Sequence, residues 1–237
     1  MARPSSADRP PGPQVLHRAV AILTAVGDAE PGISLTSLAA RTGLPLSTAY
    51  RLAQALLHDG LLERAGDDEH YRVGSGLVAL AAPASHRLNV AALTPHLYAL
   101  AGDIEITASF GLAETDDIVT MCTARPVHRF CTNQLPGARQ PLAHSAMGMA
   151  VGAFTRGQRW SMLEQVRLRG YADATGSQGH HVRAIAVPVF DGNGRVWGAV
   201  GVQALRRRLT DDLIREILPA MQQHAQRIGT SRNITSP

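Results

Sequence analysis

The 237 residues, 45% of them hydrophobic, suffice for one or two packed domains, and no run approaches the ~20 uncharged apolar residues of a membrane span, so a soluble globular protein is expected. Two cysteines, Cys122 and Cys131, are too few for a disulfide framework and lack the paired spacing of a zinc site; both are expected to be reduced thiols, with no metal and no cofactor. The net charge is +4, yet the arginines of the first eighty residues (3, 9, 18, 41, 51, 64, 72) are offset by acids that include Asp8, Asp28, Glu30, Glu63, Asp67, Asp68 and Glu69, so charge alone does not argue for a nucleic-acid partner.

Residues 1–13 are rich in Pro, Ser and Arg without apolar period and read as a disordered arm; they lack a secretory apolar segment, and the expected location is cytoplasmic and nucleoid-associated. From Gln14, the spacing of Val15, Ala19, Ile22, Leu23 and Val26 predicts a helix, ended by Gly27 to Gly32. Ser34 stands where an N-cap belongs, ahead of Leu35, Leu38 and Ala39, and Gly43 closes that short helix. Pro45 opens the next helix at its first position, with Ala49, Leu52, Ala53, Leu56 and Leu57 as the buried stripe and Asp59-Gly60 as the stop. Leu61 to Arg64 and His70 to Val73 read as a hairpin with an acidic tip, the wing of a winged helix-turn-helix over Ser34 to Val73. Gly74 to Ser85 reads as a linker with a short helical stretch. A second domain follows: a helix around Val90 to Ala101, strands at Ile104–Phe110, Ile118–Cys122 and Val182–Phe190, a tight Asn193-Gly194 turn into Val196–Val202, and a last helix from Thr210 to Ile228 that Pro219 should kink or divide.

At 100° per residue, Ser47, Arg51, Gln54 and His58 share the face of the second helix opposite its apolar stripe, with Thr48 and Tyr50 at the margins. Arg can contact guanine O6 and N7 in bidentate fashion, Gln can pair with adenine, and Ser47, Thr48 and Tyr50 can reach phosphates or bases. Ser34 is a further candidate contact, and Arg64 and Arg72 on the wing strands are candidate phosphate clamps. The expected partner is a double-stranded DNA operator. Such units act in pairs on half-sites about 34–36 Å apart, so a homodimer or tetramer on an inverted repeat is expected.

Ser34-Leu-Thr-Ser-Leu-Ala-Ala-Arg-Thr-Gly-Leu-Pro-Leu-Ser-Thr-Ala-Tyr-Arg-Leu52, then Gly60-Leu-Leu-Glu-Arg64 and Tyr71-Arg-Val-Gly74, resembles the IclR family of bacterial transcription regulators. Pro141-Leu-Ala-His-Ser-Ala-Met-Gly148, Arg169-Gly-Tyr171, Val182 to Arg195 and Arg208-Leu-Thr-Asp211 resemble landmarks of its effector domain, so the likeness covers roughly 14 to 228. It implies an α+β architecture: a disordered arm (1–13), a winged helix-turn-helix DNA-binding domain (14–74), a linker helix (75–86) and a GAF-like α/β effector-binding and oligomerisation domain (87–237). Where the family often carries Lys this chain has Leu46, which removes one expected phosphate contact. Between Met149 and Tyr171 the chain is shorter than the family pattern by about a helix.

By the same resemblance, members that bind small organic acids use the loop backbone at Ala146 and Met147, an acid after the Gly-Tyr pair, a Cys and two Ser. The matching positions here are Ala174 or Thr175, Ala184, Gly201 and Gln203. With those polar groups missing, a small acid would leave its charge unpaired. The expected effector is larger and more apolar than glyoxylate or pyruvate, contacted by Ala146, Met147, Ala184, Gly201 and Gln203, with His144, His181 and Arg183 as polar contacts.

The remaining features read as structural. His180 and His181 are neighbours that point apart on an extended chain. Trp160 and Trp197 read as core or dimer contacts, and Arg206 to Arg208 as a solvated turn. His144 and Ser145 sit in no nucleophile elbow, and no phosphate loop or catalytic carboxylate pair occurs, so no enzyme activity is expected. A regulator blind to small molecules is the alternative.

Overall fold

A computed structural model describes residues 14–29, 31–65, 70–126, 136–155, 157, 162–175 and 181–231. The arm expected at 1–13, the acidic wing tip at Asp67, Asp68 and Glu69, and Cys131, Trp160 and His180 lie outside these residues. The chain forms two compact units that divide between Arg87 and Leu88. No helix among the described residues is long and apolar enough to cross a membrane.

In the first unit, α1 (Gln14–Gly27), α2 (Leu35–Thr42) and α3 (Leu46–His58) close around Ile22, Val26, Leu38, Ala53, Leu62 and Tyr71. Ser34 caps α2, its Oγ accepting the Ser37 N–H at 3.3 Å, and Gly43 ends that helix at φ 65°, a left-handed conformation that suits glycine. Pro45 precedes α3 as its cap residue rather than occupying the first helical position. The wing strands are β2 (Leu62–Arg64) and β3 (His70–Val73). A third strand, β1 (Ile33–Ser34), pairs with β3 through Ile33 opposite Tyr71 and makes the order β1-β3-β2. Two residues are too few to show a period-2 pattern, so the sequence hid this strand.

The stretch expected to be a linker with a short helical piece is helical throughout as α4 (Ser75–Arg87), with Pro83 inside it and no residue buried. Its start is docked on the turn after α3: Gly74 N–H donates to Leu61 O and Gly76 N–H to Gly60 O, both at 3.0 Å. A Cβ on either glycine would run into the backbone of Gly60 to Leu62.

The second unit is a six-stranded antiparallel sheet in the order β6-β5-β4-β9-β8-β7, from β4 (Ala108–Glu114), β5 (Asp117–Ala124), β6 (Arg139–Pro141), β7 (Ala172–Thr175), β8 (Val182–Phe190) and β9 (Val196–Leu205). Helices α5 (Val90–Ile104) and α8 (Asp211–Ser231) cover one face, through Leu93, Leu97, Met221 and Ile228. The other face carries α6 (Ala146–Gly152) and α7 (Leu163–Arg169), through Met149, Ala150, Leu163 and Val166. Alternation along each strand divides the side chains between these two layers.

Three local expectations differ from the structure. The segment from Ile104 does not start a strand, because Ile104 completes the buried stripe of α5 and Glu105 turns the chain at φ 53° before β4 begins at Ala108. The Asp191–Arg195 turn is longer than a two-residue turn, with only Gly194 at positive φ and the Asp191 carboxylate accepting the Asn193 and Arg195 N–H groups. Helix α8 runs through Pro219 and on to Ser231 without a break.

Candidate nucleic-acid interface and ligand cavity

Ala49, Ala53 and Leu56 anchor α3 in the core, which turns Ser47, Arg51 and His58 outward to solvent and leaves Gln54 half-buried beside them. Tyr50 is exposed and Thr48 half-buried at the margins. Arg51 and Thr48 also line a groove of about 310 Å³ between α1 and α3, and Arg18 from α1 lines its other side. Among the described residues neither guanidinium is held by a carboxylate, so two cations face one groove. Arg18 escaped the sequence argument because it belongs to another helix. Its one signal is a charge at the edge of the apolar stripe of α1, three residues after Val15 and four before Ile22.

Other expected contacts are engaged within the fold. Ser34 Oγ caps α2 and donates to Ser37 Oγ at 3.0 Å. Arg64 lies over the Tyr71 ring, 5.5 Å from its centroid. Arg72 is paired with Glu63 across the wing at 2.6 Å, directly opposite in register. That pair is exposed and holds Arg72 only weakly against a phosphate. Leu46 stands out at the start of α3, 53% exposed.

In the second unit, Ala146, Met147, Ala184, Gly201 and Gln203 meet around one cavity, joined by Ser109 and Gln140, which the sequence reading had not named. Ser109 shares a hydrogen bond with Thr123 at 3.0 Å, and Gln140 Nε2 is buried with no partner among the described residues. The signal for Ser109 was available: it is a polar residue between the apolar Ala108 and Phe110 of a buried strand.

His144, His181 and Arg183 do not belong to this cavity. His144 is exposed in the 3-10 turn Leu142–His144. His181 and Arg183 share the parity of Ile185 and Val187, and therefore the face opposite to Ala184. Arg183 is spent on a structural lock: Nε donates to Asp173 Oδ1 at 3.0 Å, one Nη reaches Asp211 at 2.7 Å, and the other donates to Leu209 O at 3.1 Å. Asp173, two residues after Tyr171 and next to the Ala174 position, is consumed by the same lock.

The enclosed space is only about 20 Å³, room for one water, so the bulkier ligand expected from the sequence finds no preformed volume. Met147 occupies it. A Cβ on Gly201 would stand 2.7 Å from Met147 Cγ, and one on Gly111 would stand 3.1 Å from its Sδ. Ser145 sets this geometry by capping α6, its Oγ accepting the Gly148 N–H at 3.0 Å. Elsewhere in the sheet, burial pushes the Cys122 thiol up to about 11, which keeps it protonated at neutral pH. Trp197 packs on Phe110 with ring centroids 4.9 Å apart.

Comparison with known proteins agrees with both halves. Residues 15–66 match the model of the IclR helix-turn-helix domain, and residues 157–230 match that of the bacterial transcriptional regulator IclR C-terminal domain. The DNA-binding transcriptional repressor YiaJ of Escherichia coli is 28% identical over 256 residues, spanning 96% of this chain and 91% of the relative. The HTH-type transcriptional regulator KdgR of the same organism is 24% identical, spanning 88% of each. Among solved structures, an IclR transcriptional regulator from Alicyclobacillus acidocaldarius superposes with a TM-score of 0.69 at 18% identity, over 93% of this chain and 99% of that one. An IclR homolog from Microbacterium hydrocarbonoxydans, complexed with 4-hydroxybenzoate, gives 0.67 at 20% identity, over 93% and 100%. With the models of both domains matched in order along one chain, the protein belongs to the IclR family of bacterial transcriptional regulators.

Proposed function

We propose that the protein is a sequence-specific repressor that binds an inverted-repeat operator as a homo-oligomer and is controlled by a small-molecule effector. The observation that carries this reading is the outward face of α3, where Ser47, Arg51 and Gln54 stand together and Arg18 flanks Arg51 across the groove. In this reading α3 enters the major groove, Arg51 and Gln54 read base edges, and Ser47, Thr48, Tyr50, Arg18 and Arg64 hold phosphates. Arg72 joins them only by leaving Glu63. Several relatives are named as repressors, among them YiaJ and IclR of Escherichia coli. Such a protein acts on the chromosome, in the cytoplasm.

Support for a homo-oligomer comes from apolar side chains that the first unit leaves in solvent: Leu16 and Val20 on α1, Val78 and Leu80 on α4. The effector is assigned to the cavity beside Met147. Its described lining carries no charge, which favours a neutral or largely apolar compound over a small carboxylate, and Met147 must move to admit it. The test is fluorescence anisotropy on the gene's own upstream DNA. Arg51→Ala is expected to lose ~1–3 kcal/mol of specific binding and to relax one base position. Unaltered operator preference in that variant removes Arg51 from the reading head. Operator binding that no metabolite shifts favours the ligand-blind alternative.

A further inference from the structure

A second cavity, of about 570 Å³, lies in the effector unit between the last turns of α8 and the Phe190 end of β8. We propose that it is a ligand site separate from the one beside Met147, and that it takes an uncharged ring compound bearing a hydrogen-bond donor, of the phenol or indole class. The size falls within the roughly 300–1,000 Å³ of small-molecule pockets, and the space is already open.

Its walls suit a flat ring. Phe154 and Phe190 stand edge to face, 83° apart with centroids at 5.0 Å, and each remains more than a third exposed (37% and 38%). A third ring would extend that array in the geometry aromatic groups prefer. Ala225 and Gly229, one turn apart on α8, form the floor. A Cβ on Gly229 would collide with Phe190 O, so helix and strand touch there and close the bottom of the cavity.

The polar groups select against anions. Among the described lining residues none is cationic, and the one charged group is Asp191, fixed in place by the Asn193 and Arg195 N–H groups it accepts. The cavity also reaches Gly229 and Thr230 in the last turn of α8, the negative end of the helix dipole, which disfavours a carboxylate there. A phenol O–H or indole N–H can be accepted by a carboxamide oxygen of Gln222 or Gln226, which line the same space one turn apart.

Isothermal titration of the full chain with indole and with benzoate tests the assignment. Indole is expected to saturate, with benzoate weaker by about tenfold or more, and because the cavity beside Met147 shares that preference the filling variants decide which cavity is read. Gln226→Trp starts from an exposed position and fills the cavity with its own ring, so it should weaken indole by about tenfold or more, and Thr230→Trp serves if the first variant fails to fold. Failure of indole to saturate, benzoate binding as tight as indole, or indole binding unchanged in a folded filling variant would each overturn it. Because operator binding is not part of the readout, the result stands apart from the regulatory reading.

Discussion

Towards α5 and α8 the sheet presents Ile185, Val187, Val189, Val200 and Val202, whereas towards α6 the intervening residues of the same two strands include Ala184, Ala186, Ala199 and Gly201. Alternation thus builds one face mostly from branched aliphatics and the other mostly from small side chains. Branched side chains are stiff, and between two long helices they make a core with little freedom. On the small-residue face α6 comes close and an unbranched methionine fills what remains, so volume there can be exchanged by rotating one flexible side chain. The second face is the one whose packing can change without disturbing the first.

The largest effect that bears on this contrast is expected from Ile185→Ala, on the stiff face. Ile185 is wholly buried, and truncation should cost ~2–5 kcal/mol in urea denaturation. A cost below that range would mean that this face also relaxes. On the adaptable face, Gly201→Ala is expected to cost ~1–3 kcal/mol, because the new methyl group meets Met147. In a Met147→Ala background most of that cost should vanish, with a coupling of ~0.5 kcal/mol or more in a double-mutant cycle. Additive costs would show that Met147 does not hold the space.

The smallest effect concerns titration between the two helices of the stiff face. Burial, then the neighbouring His224 and Arg227, hold the His96 imidazole below its usual value of 6.5. The unfolded chain therefore binds this proton more readily, and stability should decline as pH falls through 6.5, the loss levelling off below the depressed folded value. His96→Gln should flatten the thermal-stability profile between neutral pH and pH 5. An equally steep profile in that variant would assign the dependence to other groups.

The winged unit was legible because each of its parts has a local cause: the Ser34 cap, the left-handed Gly43, and a stripe on α3 whose opposite face is polar. The polar outer face of α3 could be read from one helix alone, while Arg18, which flanks it from a neighbouring helix, could not. In the second unit the strong alternators β8 and β9 were visible, but α6 was not. Its Ala-Met-Gly-Met-Ala-Val-Gly run is buried on every side and has no amphipathic period. The cavity beside Met147 was half legible. The expected residues Ala146, Met147, Ala184, Gly201 and Gln203 do line one space, whereas Arg183 lies outside it, because strand parity and the Asp173–Asp211 lock become visible only once the register is known.

Helix α4, thirteen residues and roughly 20 Å long, is a stiff rod rather than a tether, and Gly74 and Gly76 press its root against the Gly60–Leu62 backbone. The heading the polypeptide takes on leaving the reading domain is therefore encoded by two missing methyl groups. Alanine at either position would swing the rod while leaving the outer face of α3 untouched, so a chemically silent change at the root redirects thirteen residues at once.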